Sequence, residues 1–134
     1  MKEIRQINPK SLRQPTKAYS NGLLVPLGDA ELLFVTGQLA QDIDGNVVAP
    51  SNAKIQTELI FSRISDILKE GGMTMDNVVK AQIFLTNIYD SPVVSKIRDE
   101  MFKTGRPVST LVEVSSLVKK GCCVEIEVIA IRLK

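Results

Sequence analysis

Along this chain apolar residues recur with two different periods, and the periods mark out its elements. Between Pro50 and Gly71, Ile55, Leu59, Ile60, Ile64, Ile67 and Leu68 fall at three- and four-residue steps. That spacing predicts one amphipathic helix, with Ser51 or Asn52 as N-cap and its end near Glu70. Lys54, Glu58, Arg63, Asp66 and Lys69 occupy the other positions around it, and Gly71-Gly72 is a stop signal. Strand-like runs dominate elsewhere. Leu23 to Leu27 and Leu32 to Gln38 read as two strands joined at Gly28-Asp29, preceded by a short strand over Ile4 to Ile7. Val78 to Thr86 forms another, with Val79, Ala81, Ile83 and Leu85 assigned to one face. A second helix begins at Ser91-Pro92, with Ser91 as cap, and buries Val93 or Val94, Ile97, Met101 and Phe102 before Gly105. Two strands close the chain, Ser109 to Val114 and Cys122 to Arg132.

The order strands, helix, strand, helix, strands predicts a single domain over residues 1–134. Its class is α+β, two-layer, with a single mixed β-sheet and two helices on one face. Two helices leave the other sheet face open, yet the last strand is apolar on both sides: Ile129, Ile131 and Leu133 alternate with Val128 and Ala130. A sheet apolar on both faces and covered on one has to bury the second against something. Self-association is the simplest solution.

Composition changes the picture mainly by exclusion. There is no histidine, which removes Ser-His-Asp and Cys-His catalysis and histidine zinc ligation. The two cysteines, Cys122 and Cys123, are adjacent and too few for a thiolate metal site, so the expectation is that no metal or organic cofactor is used. The 17 basic and 15 acidic residues are spread along the chain, and the six aromatics (two Tyr, four Phe) avoid basic runs. Neither a nucleic-acid stripe nor a membrane span emerges. The N-terminal segment is polar without an apolar signal core, so the expected location is cytoplasmic.

Among polar residues, Glu125 and Glu127 stand two apart on one strand face between apolar flanks. Burial there raises a carboxylate pKa and suits a proton shuttle. Tyr19 lies in a polar loop, where ligand-binding residues are often found. Tyr89 is expected to pack at the start of the second helix, and Lys119-Lys120 to form a solvated turn. Thr36-Gly37 offers backbone N–H groups for an anion.

Several motifs carry a resemblance: Ala18-Tyr19-Ser20, Val35-Thr36-Gly37-Gln38, Gly71-Gly72 followed by Val78-Val79-Lys80 and Phe84-Leu85, and Val124-Glu125-Ile126-Glu127 with Ala130. Their order and spacing resemble the RidA/YjgF family, whose members form chorismate-mutase-like trimers with clefts between subunits, and many of which hydrolyse reactive imines and enamines. The resemblance implies a homotrimer with a small imine or enamine metabolite as partner. It places the catalytic glutamate on Glu125, the pocket tyrosine on Tyr19 and the strand-end Thr-Gly on Thr36 and Gly37. The family's carboxylate-clamping arginine falls on Ser109, and its pocket cysteine on Leu111. Losing such a charged partner in a partly buried site costs roughly 2–5 kcal/mol. Arg106 and Lys17 are the nearby cations that can substitute, or the substrate lacks a carboxylate. Two functions stay open: hydrolytic deamination with an altered substrate preference, or a non-catalytic trimer that binds a small metabolite.

Overall fold

The computed structural model describes residues 3–134; Met1 and Lys2, the first residues of the polar N-terminal segment, lie outside them. Six strands form one mixed sheet: β1 (Arg5–Ile7), β2 (Gly22–Leu27), β3 (Ala30–Gln38), β4 (Val78–Leu85), β5 (Val108–Glu113) and β6 (Val124–Leu133). Their order is β1-β2-β3-β6-β4-β5, antiparallel throughout except for β4 and β5. Helix α2 (Ser91–Met101) makes the crossover between those two parallel strands, and α1 (Ala53–Glu70) precedes β4. The β2–β3 hairpin turns at Gly28-Asp29, where Gly28 takes φ 58°, a conformation that costs glycine nothing.

The core lies between the helices and one sheet face. Leu33 and Val35 of β3, Ala81, Ile83 and Leu85 of β4, and the even-numbered residues 124–130 of β6 are buried there. Ile60, Ile64, Ile67 and Leu68 of α1 cover them, and Phe61 meets Phe102 edge-to-face at 5.4 Å to join the two helices. A pair of this geometry contributes about 1 kcal/mol beyond its buried area.

Of the two N-caps expected for α1, Asn52 is the one in place, its side chain accepting from the Ile55 N–H at 3.0 Å. Other local details depart from the sequence-based expectations. Ile55 itself is 46 % exposed, because the buried stripe at that end runs through Ala53, Gln56 and Thr57. Periodicity missed this because two of those residues are polar. In β4 a register irregularity between Val78 and Lys80 turns Val79 outward and buries Val78 instead. Ser91 lies inside α2: a 3₁₀ turn over Ile88–Asp90 precedes it, and no side chain caps the helix. Val94 and Phe102 are buried while Met101 is exposed, and Tyr89, expected to pack, is 88 % exposed.

Gln56 explains why a polar residue can sit at the foot of α1. Fully buried, its amide donates towards the carbonyls of Val48 (3.2 Å), Ala49 (3.1 Å) and Gly121 (2.9 Å), and its carbonyl accepts the Cys123 N–H at 2.8 Å. It therefore staples two irregular loops that have no strand partner for these groups. Gln56→Ala should destabilise the fold by roughly 3 kcal/mol, since each buried polar group left unsatisfied costs about 1–3 kcal/mol. Denaturant titration reads this directly; a loss below 1 kcal/mol would mean that water replaces the amide. Lys119, expected to be solvated, instead donates from Nζ to the Gly45 carbonyl and ties the same loops together.

The second sheet face has no helix over it. Across β2, β3 and β6 its rows are Leu23–Phe34–Ile129 and Val25–Leu32–Ile131, aligned by the strand register. Leu23 is 38 % and Phe34 41 % exposed. No helix among the described residues is long and apolar enough to cross a membrane.

Candidate functional site

Glu125 projects from β6 onto this uncovered face, as does Glu127 two residues on. Its neighbour across β4 is Phe84, while Gln82 faces Glu127. On the other flank β3 is irregular between Val35 and Gln38, and Gly37 lies directly beneath the Glu125 carboxylate. A Cβ at Gly37 would stand 2.5 Å from Glu125 Oε2 and 2.8 Å from its Cδ. A side chain at position 37 would therefore push the end of Glu125 aside, and with glycine there the half-buried carboxylate is seated against backbone. Burial pushes the Glu125 carboxyl above its ordinary range, and the negative charge of Glu127 pushes it in the same direction. A carboxyl tuned upward in this way suits proton transfer near neutral pH.

The remaining residues singled out in the sequence fall in two other places. Lys17 and Tyr19 line a cavity of about 640 Å³ at the β1–β2 edge, with Gln14, Ser20 and Leu23. The Tyr19 N–H donates to the Lys17 carbonyl at 2.9 Å, a turn that sets both side chains on one rim. Arg106 and Ser109 line a separate cavity of about 640 Å³ beside the C-terminal end of α2. Ser109 pairs with Ala81 and Leu111 with Ile83, so both lie on the helix-covered side of the sheet, opposite to Glu125. Leu111 packs on the core. Thr36 stands beside Gly37, but its N–H already donates to the Asn21 carbonyl at 2.9 Å and is not available to an anion.

Within one protomer the candidates therefore form three groups, one on the open face and one at each end of the strand order. The sequence did not single out Phe84 and Gln82 as neighbours of Glu125. Their alternation with Ala81 and Ile83 was visible, but the antiparallel register that sets them opposite Glu125 and Glu127 was not. Cys122 and Cys123 are both free and buried, and burial pushes both thiols upward, away from the thiolate form that reacts. Among the described residues no group of three or more His, Cys, Asp or Glu side chains is placed to hold a metal ion.

A mixed six-stranded sheet with two helices on one face and a half-buried glutamate on the other defines an α+β fold that known proteins share. The profile of the family described as Endoribonuclease L-PSP matches residues 10–132. The chain belongs to that family, the RidA/YjgF family. A RutC family protein of Saccharolobus solfataricus is 33 % identical over 130 residues, covering 97 % of this chain and 98 % of that one. The 2-iminobutanoate/2-iminopropanoate deaminase of Bos taurus is 31 % identical over 114 residues, covering 85 % and 80 %. Among solved structures, the Rid-family protein YyfA of Yersinia pestis, described as of unknown function, superposes with a TM-score of 0.85 at 35 % identity, covering 96 % and 98 %.

Proposed function

We propose that the protein hydrolyses reactive imine or enamine metabolites in clefts between the subunits of a homotrimer. Glu125 directs water onto the C=N carbon and passes a proton to the departing nitrogen, which leaves as ammonia. The observation that carries this reading is the half-buried Glu125 carboxyl, raised in pKa and seated on Gly37. Its resemblance to the imine deaminase of Bos taurus supports the chemistry.

The division of the candidates between two sheet edges supports assembly as a condition for activity. Tyr19 lies near β1–β2 and Ser109 on β5, at opposite ends of the strand order. A closed ring of copies sets unlike edges side by side, because a heterologous contact repeated by rotation brings one edge of each copy to the other edge of the next. Three copies with their open faces inward would cover the Leu23–Phe34–Ile129 row and bring Tyr19 of one copy towards the β5 edge of another.

Ser109, where the family resemblance places an arginine, favours an altered substrate preference, since a neutral hydroxyl cannot replace a bidentate guanidinium–carboxylate pair. The same substitution is the observation in favour of a second reading, a trimer that binds a metabolite without turning it over. A nuclease reading has less support, because the chain has no histidine for general-base work on RNA and few stacking aromatics.

Imines generated in place by an amino acid oxidase, with released ammonia followed, separate these readings. Wild type should accelerate release from some imines but act weakly on 2-iminobutanoate, and Ser109→Arg should raise kcat/KM on that substrate about tenfold or more. Chelator washing should leave the rates unchanged. No acceleration with any imine, from acidic or neutral amino acids, would favour the binding trimer.

A further inference from the structure

Gly37, beneath the Glu125 carboxylate, and Thr36 before it have no partner in the β3–β6 register. Val35 pairs with Val128 and Gln38 with Ile126, so two residues of β3 stand against Glu127 alone. That count is a β-bulge, a device that interrupts a ladder and re-aims a neighbouring side chain. Backbone groups freed from a ladder need other partners. Here two buried amides supply them. The Gln38 side chain, 6 % exposed, donates from Nε2 to the Thr36 carbonyl at 3.2 Å and to Asn21 Oδ1 at 3.3 Å. The backbone carbonyl of Asn21, itself a buried residue, accepts the Thr36 N–H at 2.9 Å. Both polar groups of the Thr36 backbone are therefore tied down immediately before Gly37.

Asn21 is anchored in turn. Its N–H and its Nδ2 both donate to Asn8 Oδ1, at 2.9 and 3.2 Å, and Nδ2 also reaches the Arg13 carbonyl at 3.4 Å. Asn8 follows β1 and Asn21 precedes β2, so the network closes the base of the loop that carries Lys17 and Tyr19 and holds it against the bulge. Gln38 pairs with Ile126, whose side chain is in the core, so the Gln38 side chain lies on the helix-covered side of the sheet, behind the seat of Glu125. From there it cannot touch a molecule bound beside the carboxylate. An apolar side chain would fill this position without desolvating an amide, and the bonds to Thr36 and Asn21 are what offset that cost.

We infer that Gln38 is a positioning residue for Glu125: with Asn21 it fixes the backbone of the Thr36–Gly37 bulge, and the bulge fixes the carboxylate. This role rests on the proposed deamination and deepens it, yet the placement of the carboxylate is measurable without turnover. Loss of the amide would leave the Thr36 carbonyl and Asn21 Oδ1 without their donor. The loosened bulge would then admit water to the carboxylate and let it leave its seat. On the strands beside Glu125, the charged groups sharing its face are Glu127 of β6 and Lys80 of β4, and a change at Gln38 leaves both in place.

The test is titration of the Glu125 carboxyl by NMR in the whole chain, alongside thermal melts and, on the imine that wild type turns over fastest, kcat and KM. Gln38→Met keeps the length of the side chain and removes its donors. Its Glu125 midpoint should fall by about half a pH unit or more towards the ordinary carboxylate range, because the released carboxylate is rehydrated. Its kcat should fall about tenfold or more with little change in KM, since misplacing a reacting group costs rate more than binding. Gln38→Asn, one methylene too short to span both partners, is a second variant with the same expected direction. Phe61→Leu, in the contact between the two helices, should lower the melting temperature without moving the midpoint or kcat, which separates positioning from stability. A wild-type midpoint in both folded Gln38 variants, an equal shift in Phe61→Leu, or an unchanged kcat beside a shifted midpoint would each overturn the role of Gln38. A wild type inactive on every imine removes the deamination instead, and the midpoint alone then decides whether Gln38 places the carboxylate.

Discussion

Ile129→Asp should convert the proposed trimer into folded monomers, read as a threefold drop in mass by light scattering at micromolar concentration. Ile129 sits in the middle of the open-face row, between Phe34 of β3 and Lys80 of β4. A carboxylate there would be harmless in a monomer, because this face is outside the core formed with the helices. In an assembly that buries the face, each copy would carry an unpaired charge into an apolar contact at several kcal/mol, and a ring of three incurs that cost three times. The circular dichroism of the variant should match wild type. Lys80 lies across β4 and could neutralise part of the new charge, so Ile131→Asp, opposite Leu32, provides the cleaner comparison. A wild-type chain that scatters as a monomer would remove both the proposed assembly and the cleft that depends on it.

Glu125→Gln should lower imine hydrolysis by about 10²–10⁴-fold, the usual contribution of a positioned general acid or base. Shape and hydrogen-bonding capacity persist, so assembly and fold should be unchanged. Gly37→Ala should reproduce much of that loss without touching the carboxylate chemically. The added methyl meets the end of the Glu125 side chain, which can swing aside at little cost to stability but no longer holds its position. Agreement of the two variants would tie activity to the placement of one carboxylate. Full activity in Gly37→Ala would show that the placement is irrelevant.

Glu125 also predicts a pH effect of definite sign. Its folded pKa is raised above the ordinary value of 4.5, so the unfolded chain releases this proton first as pH rises. Glu125 therefore adds no penalty below about pH 4.5, and stability falls between that value and the raised one. Above that window the penalty is complete, and Glu125→Gln should be at least as stable as wild type at neutral pH. A less stable glutamine variant at pH 7 would mean that the carboxylate is paired in solution.

Much of the architecture was legible because it rests on local signals. The steps of Ile60, Ile64, Ile67 and Leu68, the Gly71-Gly72 stop and the Gly28-Asp29 turn each act within a few residues, and the element order follows from them. The paired apolar faces of β6 likewise imply a second sheet face that two helices cannot cover. Boundaries and faces were lost where a distant partner overrides local pattern. Gln56 is buried because loops at residues 48–49 and 121–123 need its amide, and Val79 turns outward because the β4–β6 register slips there.

Sequence alone determined the chemistry that is available: no imidazole, two carboxylates alternating on the last strand, and a hydroxyl at Ser109. Tertiary structure decided where those groups stand. Only the strand order separates Tyr19 from Ser109, and only the parallel β4–β5 register turns Ser109 away from Glu125, since residue identity carries no information about which strand will be its neighbour. The seat of Glu125 on Gly37 and the gathering of Lys103, Arg106 and Ser109 into one cavity likewise arise from contacts between separate segments. Pairing across long separations is settled by burial of the whole sheet, and a pattern read along one strand cannot see it.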